Sequence, residues 1–399
     1  MEKTRKPILL PAILFSIYLL LFPIDSALGE LIGTISVNNY IAIACLVLTI
    51  MLAMKRIIFK FDNFMIIYIV FFIYQFLIII NGSYFFTNRN VIFLFYNFMA
   101  IILVHVQWTE REKKLFKYMI VLGTILACYV VFTHINFDSS RRLYLSIGRN
   151  IDQNFLSANL IFGTALAANS MFKAKKFYTK LFFFVLLIWS QVCILYLGSR
   201  GGLLGNLAVV ITVIWLNRKT FNVRVVLISV ISLLLIFAAA FLFMPEWIAE
   251  RFNPFNMVES GGSGRLVTWK NYLYYYASES LPVIVFGYGR GFIYDRTSFV
   301  SGKCTHNIFI KSLVEGGIIG FILHALLFVE LLITVFKAKS RDMLAIIIGY
   351  IVCGMFLDLD DYRILPLMII LIMMYKDESF SMEYLIPKKK KLPHSDPAA

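Results

Sequence analysis

The sequence predicts an all-α polytopic membrane protein of about twelve transmembrane helices, and three observations carry that expectation. Hydrophobic residues make up 60% of the 399 and charged residues only 15%, against about 25% charged in soluble domains. The apolar residues fall in runs close to the roughly 17–25 residues that cross a bilayer. Lys and Arg gather between alternate runs, as the positive-inside tendency requires. The same balance excludes a disordered chain, a disulfide scaffold and a coiled coil. A net charge of +15 would suit nucleic acid, but basic residues placed between apolar runs are accounted for first by topology. Cys45, Cys128, Cys193, Cys304 and Cys353 are scattered, without metal-ligand or disulfide spacing.

In chain order the spans fall near 8–24, 38–54, 62–80, 91–107, 118–135, 155–172, 181–198, 202–216, 225–243, 306–336, 343–357 and 364–375. The tenth exceeds one crossing, so it is expected to begin outside the bilayer. With the N-terminus inside, every even-numbered span exits into a basic segment, which puts both termini in the cytoplasm. Residues 1–375 are then one integral-membrane domain, and 376–399 a basic cytoplasmic tail whose Lys388 to Lys391 meet anionic headgroups. Ala27-Leu28-Gly29 resembles a signal-peptide cleavage site, and cleavage there would leave the remaining topology unchanged.

Charge type separates with the faces. The cytoplasmic set holds 25 of the 38 basic residues, mostly lysine. The outer set is mostly arginine: Arg89, Arg141, Arg142, Arg149, Arg200, Arg251, Arg265, Arg290, Arg296 and Arg363. Orientation needs only positive charge, so it does not explain that split. The planar guanidinium fork suits bidentate contact with phosphate or carboxylate. An anionic ligand at the outer face is one reading; loop arginines paired with Asp138, Glu250 or Glu259 are the other.

Three regions are irregular. Residues 244–305 form a large outer loop with Pro245, Pro254, Gly261-Gly262-Ser263-Gly264, an aromatic stretch from Trp269 to Tyr276, and Gly287-Tyr288-Gly289-Arg290-Gly291. That length suits a partly helical cap or lid. The hairpin 343–375 reaches about 50 Å as helix, short of the roughly 60 Å that two crossings need. Its polar turn, Asp358 to Arg363, is therefore expected below the outer surface. The hairpin 181–216, with Gly198-Ser199-Arg200-Gly201-Gly202 at its apex, is nearly as short. Charges at such depth line a cavity or pair with one another, so an Asp358–Arg363 or Asp361–Arg200 ion pair stands beside a functional reading.

Those motifs resemble a family. Leu197 to Leu204 is similar to the signature hairpin of the bacterial O-antigen ligase and O-antigen polymerase superfamily. Thr305-His306-Asn307, nine residues and Gly317-Ile318-Ile319-Gly320 resemble its His-Asn-x9-Gly-x-x-Gly pattern. Gly264-Arg265-Leu266 and Pro282 to Gly291 resemble the family's outer loop, Asp358 to Pro366 its last outer turn, and Arg149 to Asn154 a weaker stretch. The resemblance covers roughly 149–366. It implies a GT-C-like, metal-independent membrane glycosyltransferase without cofactor. The donor is a polyprenyl-pyrophosphate-linked glycan, and the acceptor is a lipid for ligases or another carrier-linked repeat for polymerases. A chain-length regulator is an expected partner only of a polymerase. The implied location is the bacterial plasma membrane, with the site facing outside.

The chemistry of such a transfer asks for fixed cations, one base and room for a lipid tail. Arg200, Arg265 and Arg290 are the cation candidates: Arg200 because small neighbours would let a pyrophosphate approach, Arg265 because it follows a glycine-rich hinge. Arg363 either joins them or neutralises Asp358. His306 is the candidate base, at the start of a helix where dipole and arginines disfavour imidazolium; the bland alternative is a structural histidine. If the helix runs on, Gly317 lies under His306, eleven residues at about 100° each, with Gly320 beside it for close packing. Gly316-Gly317 would instead break it. Asp358 would orient the base, pair with an arginine or serve as the base. Asp358, Asp360 and Asp361 as a cation site, and Asn81-Gly82-Ser83 as a glycosylation sequon, are weaker readings. A twelve-span transporter or lipid-glycan flippase is the competing class, though no internal repeat is visible. A purely scaffolding protein leaves the outer arginines unexplained.

Overall fold

A computed structural model of the chain describes residues 8–25, 36–80, 82, 87–137, 143–145, 149–150, 152–220, 246–253, 255, 264–294, 304–359 and 363–385. Its helices are α1 Leu10–Leu21, α2 Val37–Leu52, α3 Asn63–Ile80, α4 Asn88–Leu103, α5 Glu110–His134, α6 Gln153–Asn159, α7 Ile161–Lys173, α8 Phe177–Tyr196 and α9 Arg200–Asn217. The outer-loop helices follow, α10 Glu246–Phe252, α11 Arg265–Ala277 and α12 Leu281–Phe286, then α13 Ile308–Lys337, α14 Leu344–Gly354 and α15 Ile364–Tyr375. Three short antiparallel strands, Ile135–Phe137, Leu143–Leu145 and Arg149–Asn150 in that order, interrupt the helices where the sequence suggests none.

With α6 and α7 taken together, six helices among the described residues are long and apolar enough to cross a membrane, and five more are apolar but shorter. The protein is thus a multi-pass helical membrane protein. The span expected at 225–243 lies outside the described residues.

The interior is built on the last hairpin. Ten of the twelve residues of α15 are buried, because apolar side chains on every face find partners all round. α9 crosses α14 at glycines: a Cβ on Gly205 would sit 2.1 Å from Cys353 Sγ, and one on Gly349 3.2 Å from the Gly205 carbonyl. A Cβ on Gly201 would meet Phe356 at 2.8 Å and one on Gly202 would meet Ser157 at 2.3 Å. The glycines after Arg200 are therefore filled by neighbouring helices, close-approach positions as in other membrane bundles. The Cβ side of each of these glycines is thus a helix contact, a packing role the sequence did not single out for them.

α13 does not run on. Gly317 has φ 65° and ψ −170°, so the helix breaks there and Gly317 does not repeat the face of His306. The outer loop docks into the break, with Tyr288 N–H donating to the Val314 carbonyl and Gly289 N–H to that of Glu315, each at 3.0 Å. A Cβ on Gly287 would lie 2.3 Å from the Glu315 carbonyl, and one on Gly317 2.3 Å from that of Val285. Tyr74 of α3 donates to the freed Gly316 carbonyl, satisfying a group that a break would otherwise orphan. Gly320 keeps its packing role, since a Cβ there would lie 3.1 Å from the Tyr74 ring.

The end of the bundle carrying the lysine-rich segments is held by ion pairs. Glu112, fully buried, takes Arg56 at 3.1 Å and the backbone N–H groups of Thr109 and Leu9. Residues 376–385 fold back here. Phe380 is buried, its N–H donates to Asp342 at 2.9 Å, and Met382 N–H donates to Ser170 Oγ at 2.8 Å. Only 386–399 of the expected tail lie outside the described residues.

Candidate active site

The site is built from the turn Thr305-His306-Asn307. Asn307 caps α13 by accepting from the N–H groups of Phe309 and Ile310, the usual role of Asn at a helix start. Asp358, buried after α14, clamps the turn from the opposite side. Its Oδ1 accepts from Thr305 Oγ1 at 2.6 Å and Asn307 N–H at 3.1 Å, and its Oδ2 from His306 N–H at 3.0 Å. Among the described residues, His306 alone of the non-glycines has a positive φ, 49°. That conformation costs of order 1–3 kcal/mol and persists where its surroundings enforce it; the three Asp358 bonds enforce it here. The imidazole is half-buried, with Nδ1 3.9 Å from Asp358 Oδ2.

The cations arrive from separate elements. Ser199, capping α9, accepts from Gly202 N–H and donates to Asn154 at 2.9 Å, which fixes the first turn carrying Arg200. Arg251 of α10 lies over Gly198, its Nη1 3.5 Å from where a Cβ would be. Arg265 opens α11 after Gly264, whose φ is 77°. Trp269 Nε1, one turn on, donates to the Thr305 carbonyl at 2.6 Å and so ties that helix to the histidine turn. Asp152, which caps α6 through the N–H groups of Asn154 and Phe155, approaches from a sixth stretch.

These groups feel one another. Burial and then the charge of Arg200 lower the Arg265 pKa, with Arg251 acting the same way and Asp358 and Asp152 opposing. Arg251 is lowered by burial and by Arg200. Three partly buried guanidiniums, two of them destabilised by a neighbouring one, make a region of positive potential that an anion would relieve. Burial also pulls His306 below the usual 6.5; Asp358 and Asp152 oppose that shift and Arg265 reinforces it. That direction favours the uncharged ring, the form able to accept a proton.

Of the residues singled out in the sequence, Arg200, Arg265, His306 and Asp358 therefore come together. Arg290 does not join them. It is buried over the Phe93 ring at 3.6 Å and donates to Gln75 Oε1 at 3.1 Å, tying the glycine-rich turn to α3 and α4. Arg363 does not pair with Asp358. It forms an ion pair with Asp25, donates to Ser36 Oγ at 2.9 Å and lies over Tyr96. We expect Arg363→Ala to cost about 3 kcal/mol of stability, as breaking a largely buried pair does, read as a lower thermal midpoint in detergent.

Sequence reasoning passed over Arg251, counted only among the outer arginines, and Asp152, whose one signal was the stretch Arg149 to Asn154. Among the other histidines, His105 bonds the Ile101 and Lys60 carbonyls and His324 lies among Phe71, Phe309 and Phe328. The His134 side chain and His394 are outside the described residues. Asp360, Asp361 and the sequon residues Asn81 and Ser83 are outside them too. Among the described residues no three His, Cys, Asp or Glu side chains gather as a metal site.

Comparison with curated proteins finds no match. A family model described as O-antigen ligase (Wzy_C) matches residues 182–325, about a third of the chain. That stretch carries the Arg200 hairpin, Arg251, Arg265 and the histidine turn with its glycines. Residues 182–325 are thus similar to the O-antigen ligase family, in line with the ligase and polymerase superfamily that the motifs resemble.

Proposed function

We propose that the protein transfers a glycan from a polyprenyl-pyrophosphate carrier to an acceptor hydroxyl at the outer face of the bacterial plasma membrane. What supports this reading is that Arg200 and Arg251 act on Arg265, and Arg265 in turn on His306, whose pKa burial lowers, although the four come from distant stretches of chain. The acceptor oxygen bonds to the anomeric carbon as the bond from that carbon to the phosphate oxygen breaks. The hydroxyl proton passes to the imidazole, and the leaving pyrophosphate takes the bonding pair. With Nδ1 turned toward Asp358, Nε2 is the nitrogen that receives the proton. The guanidiniums stabilise the charge developing on the phosphate, a contribution of several kcal/mol when donors are fixed in advance.

This reading takes about twelve spans in a GT-C-like arrangement, both termini in the cytoplasm and the arginine cluster outside. The lysine-rich segments at the opposite end support that orientation. It takes no metal and no cofactor, since the guanidiniums and the imidazole supply the charge and the base.

Purified protein in liposomes, given a polyprenyl-pyrophosphate-linked glycan and a lipid acceptor, should release the carrier and join glycan to lipid. We favour ligation because the matching family is described as a ligase. Growth of carrier-linked chains with no lipid acceptor present would make it a repeat-unit polymerase for O-antigen, capsule or exopolysaccharide. Movement of the donor across the bilayer with no bond exchanged would reject the transferase and indicate a transporter.

A further inference from the structure

We infer that the end of the bundle opposite the arginine cluster holds a second binding site, for a phosphate-bearing anion. A hollow of about 470 Å³ opens there between the first turns of α5 and the folded-back segment 379–384. Its volume is that of a small-ligand pocket. The cationic part of the lining is Lys114 and Lys117, three residues apart on α5 and so on one face of it.

The walls are held in place without filling the space. Lys117 Nζ donates to the Ser379 and Ser381 carbonyls and lies over the Tyr375 ring at 4.8 Å. Tyr118 donates to the Leu385 carbonyl at 3.0 Å. Lys175 N–H donates to the Glu383 carbonyl at 3.2 Å, which pins the far side of the strap. The rim is therefore braced from α5, from the turn between α7 and α8, and from Asp342.

The local charge balance leaves the hollow positive. Glu383, the acid in the lining, is engaged by Lys175 at 2.8 Å. Beside it, Glu378 is taken by Lys113 and Asp342 by Lys173. Each of these acids has its ion pair with a lysine other than Lys114 and Lys117, and Glu110 shares Lys113 at 3.6 Å; Glu378, Asp342 and Glu110 also act on Lys117, while Lys114 adds positive charge at the rim. Lys176 adds further positive charge beside Tyr384, 6.0 Å from its ring. The complementary occupant is an anion. Lysine ammonium groups around a half-open cavity suit a phosphate as point charges, either in a phospholipid headgroup or free in solution.

The test uses purified full-length protein in detergent, read by native mass spectrometry with phosphatidylglycerol, phosphatidylcholine or inorganic phosphate added. Saturable retention of phosphatidylglycerol over phosphatidylcholine, or of phosphate itself, is expected. Lys114→Ala, an exposed position that leaves the fold intact, should weaken retention about fivefold, the value of one lysine near an anionic surface. Lys114→Ala with Lys117→Ala should weaken it further. Lys60→Ala with Lys339→Ala, exposed lysines at the same end, should change nothing. Displacement of phosphatidylglycerol by millimolar inorganic phosphate assigns the soluble anion; retention in its presence assigns the headgroup. The site is overturned if no probe saturates, or if the Lys114 and control variants lose binding equally. It is separate from the arginine cluster, so that failure would leave the transfer reading standing.

Discussion

His306→Ala should lower glycan transfer by about 10²–10⁴-fold, the usual contribution of a positioned acid or base, while the protein inserts and folds as before. The side chain is half-buried, and the turn is held by backbone N–H groups and Thr305 Oγ1 on Asp358. The pH profile separates a base from a merely structural histidine. A base must be neutral, and burial lowers the His306 pKa from 6.5. The rate should therefore stay level from neutral pH down past 6.5 and fall only as the ring gains its proton below that. Asp152→Asn removes a negative charge that raises the His306 pKa, so the acid-side fall should move to lower pH. A profile in Asp152→Asn superimposable on the native one, or full activity in His306→Ala, would remove His306 from the reaction.

The membrane class and the elements of the site were legible in the sequence because each has a local signature. Apolar runs of bilayer length reveal helices wherever they stand, and Asn307 before an apolar run is a cap. What the sequence did not disclose depends on packing partners far along the chain. Arg363 follows the acidic turn beginning at Asp358, yet its partner is Asp25, more than 300 residues away. The glycines beside Arg200 resemble a ligand approach in sequence and are helix contacts in space. The break at Gly317 was open either way from residue types, and the docking of Gly287 into it decides. Arg251 has no local motif; only the fold of α10 over Gly198 brings it to Arg200.

Arg265→Ala should cost about 10²–10³ in transfer rate, the loss seen when one preorganised donor to a developing charge is removed. The effect should appear in the rate more than in donor affinity, since Arg200 and Arg251 still attract the pyrophosphate. Arg265→Lys should restore only part of it, because an ammonium keeps the charge and loses the planar fork. Arg265 also differs from the other guanidiniums in its effect on the histidine: its positive charge helps lower the His306 pKa. Arg265→Ala should therefore move the acid-side fall in rate toward higher pH, opposite to Asp152→Asn. A purely structural Arg265 predicts neither displacement once transfer is normalised to folded protein, and Arg290→Ala, whose guanidinium is held at Gln75 and Phe93, supplies the comparison. Opposite pH displacements from Arg265→Ala and Asp152→Asn would require that both charges act on the same imidazole, which helices folded into separate compartments could not produce.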